Sequence, residues 1–239
     1  MRRILTLMAL LATAAAQADA VTAALAKKLG VREQDVAPAA VAGLYRVTLG
    51  PDVLYVTADG RYALRGDVIQ LSDGRNLTAE EREQARLAAI AALDEKDMIV
   101  FGPPHPRHVL TVLTDIDCSY CRQLAGEMPD LISQGVQLRY LAYPRTGVDT
   151  PSWAKAMAVW CARDPHVAYQ FAVSGRPVVP ADKCDPAPVL AGYNFGRRLG
   201  MQGTPVIITE GGQIINGYLP ADELLRLLDD PAALAATSL

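Results

Sequence analysis

Residues 114–122 read TDIDCSYCR and place two cysteines, Cys118 and Cys121, directly after an apolar, β-branched run. The residues that follow favour a helix over 121–133, interrupted at Pro129. A Cys-x-x-Cys at the point where a strand leads into a helix is typical of a thiol redox site. The pattern therefore indicates dithiol chemistry, with a plain structural disulfide as the alternative.

Two other uses of paired cysteines fit this chain poorly. A zinc site needs four ligands, commonly in two close pairs, whereas Cys161 and Cys184 lie far from the motif and from each other. A c-type haem attachment needs a histidine after the second cysteine, where this chain has Arg122. We therefore expect neither a metal nor another cofactor.

The position of the motif predicts different roles for its two cysteines. Cys118 faces the unpaired amides and the positive dipole end of the helix, which favour a thiolate. We expect Cys118 to attack a substrate disulfide and Cys121, one turn further on, to resolve the mixed disulfide. Asp115 and Asp117 oppose the thiolate unless they point to water, and the sequence leaves this balance open.

Composition and the N-terminal residues narrow the class of protein. The chain has 239 residues, with 23 Lys and Arg against 26 Asp and Glu and no basic block, which argues against a nucleic-acid partner. Residues 1–20 combine a basic start, a short apolar stretch and a small-x-small site, which predicts a signal peptide cleaved after Ala20 or Ala18. No later segment is long and apolar enough to span a membrane. We expect an exported protein without membrane insertion, in a compartment where disulfides persist.

Two domains are expected after the signal peptide. The first, residues 21–77, contains a helix candidate at 22–29 and a hairpin pattern around residues 58–60. Thr-Ala-Glu-Glu at residues 78–81 fits a capping box, which predicts the start of a charged linker helix over 78–96.

The second domain is expected over residues 97–239, and from His108 onward its pattern follows the order strand, helix, strand, helices, hairpin, helix. The strands are expected at 109–113 and 136–142, and the hairpin is expected at 206–218. This order predicts a mixed sheet with helices packed against it.

The remaining cysteines and one proline complete the set of candidate residues. In an oxidising compartment a bridge between Cys161 and Cys184 would stabilise the fold by about 3 kcal/mol in the chain-entropy model, and a second redox relay is the alternative. Gly203-Thr204-Pro205 precedes an apolar strand, where a proline is either a strand opener or part of a cis peptide.

Five stretches carry a resemblance to a known family: GLYRVTLGPDVLYVTADGRYALRGDVIQL, MIVFGPPHPRHVLTVLTDIDCSYCRQL, VQLRYLAYPRTGVDT, AVWCARDPHVAYQFAVSG and GTPVIITEGGQIINGYLP. Together they resemble the periplasmic thiol:disulfide interchange proteins of the DsbC and DsbG type, and DsbC more than DsbG. The resemblance implies a mixed α+β and α/β fold: a thioredoxin-like catalytic domain with a helical insertion, a linker helix and a small cystatin-like α+β dimerisation domain.

The resemblance also implies roles for single residues. Cys118 would attack and Cys121 would resolve, and Pro205 would be a cis-proline facing them, with Thr204 before it. In the family this loop pairs with an extended substrate segment. The bridge between Cys161 and Cys184 would be structural. Ser119-Tyr120 would contact substrate, and it departs from the Gly-Tyr usual in DsbC and the Pro-Tyr usual in DsbG, which leaves the redox potential open.

As a function, the resemblance implies a disulfide isomerase and reductase that acts on misfolded, disulfide-containing exported proteins in the periplasm of Gram-negative bacteria. It further implies a homodimer formed through the N-terminal domain and an inner-membrane electron donor of the DsbD kind. Two alternatives stay open at this point: a net thiol oxidase, and a holdase chaperone that uses an apolar dimer cleft without its thiols.

Overall fold

The hairpin expected around residues 58–60 is present in the computed structural model, which describes residues 18–180, 183–230 and 232–234. Residues 1–17 of the expected signal peptide lie outside the described residues. The chain divides into two compact units with the boundary between Ala85 and Arg86. The expected domain limits at 77/78 and 96/97 stay predictions.

The N-terminal unit is a small antiparallel sheet with a helix packed on it. Helix α1 covers residues 18–29 of the described chain. The sheet has the order β1-β2-β3-β4 and a separate two-stranded sheet pairs β5 with β6. The strands are β1 (Val36–Pro38), β2 (Leu44–Leu49), β3 (Asp52–Thr57), β4 (Ala63–Leu64), β5 (Ile69–Gln70) and β6 (Arg75–Asn76). Leu25 and Ala26 of the helix pack on Val36, Val47 and Val56, so the unit has a small apolar core.

The capping box expected at residues 78–81 is wrong. Helix α2 covers Leu77–Ala91, and the Asn76 side chain accepts from the Ala79 amide at 2.9 Å. The Thr78 hydroxyl instead pairs with the Tyr55 hydroxyl at 2.7 Å, which in turn donates to Glu81 at 2.9 Å. The side chains of Thr78 and Glu81, which the local pattern assigned to the cap, therefore bind the buried Tyr55 of the sheet instead. The helix also ends before residue 96, and a 3-10 turn follows at Glu95–Asp97.

The C-terminal unit contains a five-stranded sheet of order β11-β10-β8-β9-β7, in which only the central pair, β8 and β9, is parallel. Its strands are β7 (Ile99–Phe101), β8 (His108–Thr114), β9 (Val136–Ala142), β10 (Val206–Ile208) and β11 (Ile214–Asn216). Its helices are α3 (Ser119–Gly126), α4 (Met128–Ser133), α5 (Pro151–Trp160), α6 (Pro165–Val173), α7 (Ala187–Leu199) and α8 (Ala221–Asp229). The order of elements expected from residue 108 onward is confirmed, and the strand over 136–142 has the expected bounds. Strand β7, which precedes residue 108, was not predicted.

Apolar clusters cover both faces of the central strands. Leu110 and Val112 of β8 belong to the cluster on one face, and Leu113 belongs to the cluster on the other. Helix α7 approaches β9 so closely that a Cβ at Gly192 would lie 2.5 Å from the Ala142 carbonyl oxygen. A parallel strand pair buried on both faces is a rigid support for whatever follows it. In the described part of the chain, no helix is both long and apolar enough to cross a membrane.

The helix expected over 121–133 is two helices, and it starts earlier than expected. Helix α3 begins at Ser119, and the break falls at Glu127 rather than at Pro129. Pro129 lies in the first turn of α4, where a missing backbone N–H breaks no helical hydrogen bond. The Glu127 carboxylate accepts from the Tyr218 hydroxyl at 2.7 Å and the Ala221 amide at 3.3 Å, so the break ties α3 and α4 to the start of α8.

Candidate active site

The Cys-x-x-Cys lies at the end of β8, where the chain turns into α3. Cys118 is the N-cap of α3, and its amide donates to the Asp115 carbonyl at 3.0 Å. Because the helix begins at Ser119, Cys118 faces the free amides of the first turn, and Cys121 lies within that turn. Both are free thiols and both are buried, with 3% and 1% of their surface exposed.

The loop before β10 lies against these thiols. The Thr204–Pro205 peptide bond is cis, and the Cys118 Sγ donates to the Thr204 carbonyl oxygen at 3.2 Å. The Thr204 hydroxyl is buried and has no hydrogen-bond partner among the described residues, which leaves it available to a thiolate. The structure thus brings Cys118, Cys121, Thr204 and Pro205 together. Ser119 and Tyr120 lie at the surface beside them.

The surroundings of the two thiols shift their pKa values in opposite directions. Burial raises the pKa of Cys118, but hydrogen bonds that the Thr204 hydroxyl, the Cys121 thiol and amide, and the Tyr120 amide can donate to the thiolate outweigh it, so the pKa lies below the ordinary thiol value. Burial raises the pKa of Cys121 to about 11. The lowered pKa increases the thiolate fraction of Cys118 at a given pH, and the raised pKa keeps Cys121 protonated near neutral pH, as the roles of attacking and resolving cysteine require.

Asp115 and Asp117 are each paired with a cationic side chain. Asp115 is 2% exposed, and its carboxylate accepts from the Arg145 amide and Nε, both at 3.0 Å, from Ser152 at 2.8 Å and from the Asp117 amide at 2.9 Å. Burial raises the pKa of Asp115, but these hydrogen bonds outweigh it and hold the pKa below its usual range. Asp117 pairs with Lys155 at 2.5 Å. The negative charge beside the thiols is therefore largely neutralised.

Sequence reasoning missed Arg145, although strand pairing contains a signal for it. Strand β9 runs parallel to β8 with Thr114 opposite Ala142, and the Tyr143 amide donates to the Thr114 carbonyl at 2.7 Å. The residues after the two strands therefore leave the sheet side by side, which brings Arg145 to Asp115. Both thiols lie close enough to Arg145 to raise the pKa of its guanidinium, after the larger effect of its hydrogen bond to Asp115.

The other two cysteines form a disulfide away from the thiol pair. Cys161 is the C-cap of α5, and it is joined to Cys184, which lies 23 residues later and shortly before α7. The bridge fixes the segment that connects α5, α6 and α7 to one helix end.

Comparison with known proteins gives the family. Residues 12–79 match the disulfide bond isomerase protein N-terminal domain, and residues 95–232 match a thioredoxin-like domain. The thiol:disulfide interchange protein DsbC of Escherichia coli K12 is 37% identical over 217 residues, which cover 90% of this chain and 89% of that protein. The chain belongs to the DsbC family. The DsbC of Haemophilus influenzae is 32% identical over 237 residues, which cover 97% of this chain and all, 100%, of that protein.

One solved structure shares part of the fold. A linker-deletion mutant of Proteus mirabilis ScsC superposes with a TM-score of 0.51 at 19% identity, over 66% of this chain and 85% of that one. This likeness concerns the fold alone. The family match confirms the expected thioredoxin-like domain and the disulfide isomerase N-terminal domain. It also confirms that the protein is an enzyme of thiol:disulfide interchange.

The opposite pKa shifts predict the pH dependence of alkylation of this DsbC-family protein. Only the thiolate reacts with iodoacetamide, so the rate at Cys118 should rise with pH and reach half its maximum below pH 9.0, the ordinary value for a thiol. Cys121 should stay unmodified until the pH approaches its raised pKa of about 11. Mass spectrometry of peptides from the reduced protein measures both sites in one experiment. Equal midpoints at the two cysteines would contradict the division of roles.

Proposed function

We propose that this protein is a periplasmic disulfide isomerase that also reduces disulfides, with Cys118 as nucleophile and Cys121 as resolving thiol. The observation that carries the proposal is the difference in pKa between Cys118 and Cys121. Cys118 caps α3 beside Thr204 and has a lowered pKa, while Cys121 has a pKa raised to about 11. A strong attacking thiolate next to a protonated second thiol supports attack on client disulfides.

The exchange reaction has two branches after a common first step. The Cys118 thiolate attacks one sulfur of a client disulfide, which forms a mixed disulfide and releases the other client sulfur as a thiolate. If a different client thiolate then attacks the mixed disulfide, Cys118 leaves as a thiolate and the client is reshuffled without net oxidation. If Cys121 loses its proton and attacks Cys118, the client leaves as a dithiol and Cys118 and Cys121 become a disulfide.

The loop that holds Thr204 and Pro205 is assigned to substrate binding. In the reduced protein the Thr204 carbonyl already accepts from the Cys118 thiol, at 3.2 Å, so a client sulfur bound to Cys118 would lie next to this backbone. An extended client segment can then pair with the loop as an added strand would. Ser119 and Tyr120, exposed at the same edge, would contact the client on the other side.

Dimerisation and reduction are parts of the same proposal. The N-terminal unit buries few apolar residues and leaves Leu64, Ile69 and Leu71 exposed by 46%, 44% and 94%, which supports a homodimer formed through residues 21–77. Each catalytic turnover by the reductive branch leaves Cys118 and Cys121 oxidised to a disulfide. The enzyme therefore needs a thiol reductant at the membrane, for which a DsbD-type donor is proposed.

The test is recovery of activity from a scrambled multi-disulfide protein in glutathione buffer. The mature full-length protein should restore activity, whereas a fragment of residues 96–239 should only reduce or oxidise the substrate, since it lacks the dimer cleft. Failure of the full-length protein to restore activity would contradict isomerisation and leave reduction, oxidation or thiol-independent chaperoning. Size measurements on both proteins check the dimer separately.

A further inference from the structure

A cleft in the C-terminal unit opens beside the active-site turn. It has a volume of about 540 Å³ and lies between the start of α3 and helices α5 and α6. Ile116, Ala158, Val159, Ala172 and Val178 give it an apolar lining. The proposed chemistry at Cys118 and Cys121 does not use this space.

The cleft lies beside the chain segment that carries the nucleophile. Asp117, which directly precedes Cys118, is part of its wall. Arg122 is another lining residue, and its amide donates to the Cys118 carbonyl at 3.1 Å. An extended client chain joined to the Cys118 sulfur advances about 3.3 Å per residue, so the residue that enters the cleft would lie a few positions from the client cysteine.

The charges around the cleft are unbalanced. Of the described residues that line it, Arg122, Lys155 and Arg176 are cationic and Asp117 alone is anionic. Asp117 is paired with Lys155 at 2.5 Å. In the described chain neither arginine has a carboxylate partner, because Arg122 donates to the Ile116 and Asp117 carbonyls and Arg176 donates to the Ser174 hydroxyl.

Arg176 is held in place for an incoming anion. Its amide donates to the Phe171 carbonyl at 2.9 Å, which fixes the backbone at the end of α6. Its guanidinium lies over the Phe171 ring at 3.8 Å from the centroid. A guanidinium stacked on a ring keeps N–H groups free to bind a carboxylate, and it does so at a lower entropy loss than a mobile side chain.

We propose that this cleft binds an acidic client segment, in which an Asp or Glu a few residues from the reacting cysteine binds Arg176. The apolar lining takes the side chains next to the carboxylate. This inference names a substrate class for the proposed isomerase and rests on that function. Clients with acidic residues near a wrong disulfide should therefore be better substrates than clients with neutral or basic residues there.

The test uses three disulfide-linked peptides that differ only in Glu, Gln or Lys near the cysteine. With the full-length reduced protein at low salt, kcat/KM should be about fivefold higher for Glu than for Gln, as for one well-oriented exposed ion pair, and lower again for Lys. The advantage of Glu should fall with added salt. Arg176→Gln should abolish the ratio of about five between the Glu and Gln peptides, and a general loss of activity would leave that ratio unchanged. Arg226→Gln, an exposed arginine on α8 outside the cleft, should have no effect.

A second readout separates this inference from the function on which it rests. Fluorescence anisotropy with the same peptides carrying alanine for cysteine measures binding without thiol exchange, and the Glu peptide should bind best and depend on Arg176. If all peptides react equally and bind equally, the cleft proposal is overturned while the isomerase stands. If none reacts but binding still depends on Glu and Arg176, the proposed chemistry fails and the cleft proposal holds.

Discussion

Cys118→Ser should lower recovery of a scrambled substrate to the rate of the glutathione buffer alone. Serine keeps the shape of the side chain but cannot form a thiolate or a mixed disulfide, so the common first step of both branches is lost. Cys121→Ser should behave differently, because it removes only the reductive branch. That variant should accumulate mixed disulfides with the client, which a non-reducing gel and mass spectrometry would show at Cys118.

The same pair of variants separates thiol chemistry from chaperone action. Suppression of aggregation of a cysteine-free unfolded protein should be the same for wild type, Cys118→Ser and Cys121→Ser if the protein also acts as a holdase. Recovery of the scrambled substrate by Cys118→Ser above the buffer rate would mean that this residue is not the nucleophile. Oxidation of a reduced substrate by the disulfide form of the wild type, with an equal amount of the Cys118–Cys121 disulfide reduced to the dithiol, would instead support a net oxidase.

Asp115→Asn should destabilise the C-terminal unit by about 3 kcal/mol, the lower end of the range for breaking a buried ion pair, because Arg145 is partly exposed and can reach water. The amide cannot accept from the Arg145 Nε, the Arg145 amide, Ser152 and the Asp117 amide at once, since one of its atoms is a donor. Asp117→Asn is the matched control. It breaks a solvent-accessible pair with Lys155 and should cost less than about 1 kcal/mol.

Denaturant unfolding under reducing conditions, followed by tryptophan fluorescence, measures the difference in unfolding free energy between the two variants. The signal comes from the C-terminal unit, which contains both substitutions. The chain has 2 tryptophans, Trp153 and Trp160, and both belong to the C-terminal unit. Because the folded-state pKa of Asp115 is lowered, its contribution is complete above the ordinary carboxyl pKa and disappears as the pH falls through the lowered value. The stability difference between wild type and Asp115→Asn should therefore shrink in acid.

The Asp115→Asn variant also has a readout that loss of stability alone would not change. Removing a negative charge beside the thiols and freeing Arg145 from its partner both favour a thiolate. The midpoint of Cys118 alkylation should therefore move to lower pH than in the wild type. A midpoint that stays the same or rises would mean that Asp115 supports the fold without acting on the reactive thiol.

The chemistry of this site could be predicted from sequence because it depends on neighbours in the chain. An apolar run followed by Cys-x-x-Cys predicts that the cysteines lie where a strand ends and a helix begins, and Cys118 and Cys121 lie there. The family resemblance supplied the facing loop, which the motif alone could not, since Thr204 lies 86 residues from Cys118.

The errors in the sequence analysis arise where a distant residue replaced a local interaction. Thr78 and Glu81 have the spacing of a capping box, but the hydroxyl of Tyr55, more than twenty residues earlier, binds both. The charge of Asp115 looked unfavourable for a thiolate because Arg145, 30 residues later, is invisible to a local pattern. Knowledge of the β8 and β9 pairing is what would have brought the two together.

The recessed position of Cys118 limits which disulfides the enzyme can attack. Cys118 is 3% exposed and its sulfur contacts the Thr204 carbonyl, so a client sulfur must approach beside this backbone to close to the S–S bond length of about 2.05 Å. A disulfide packed inside a finished core cannot approach so closely, whereas one in a loose chain can. Correct bonds are thus spared by inaccessibility, and the enzyme needs no means of telling right pairings from wrong ones.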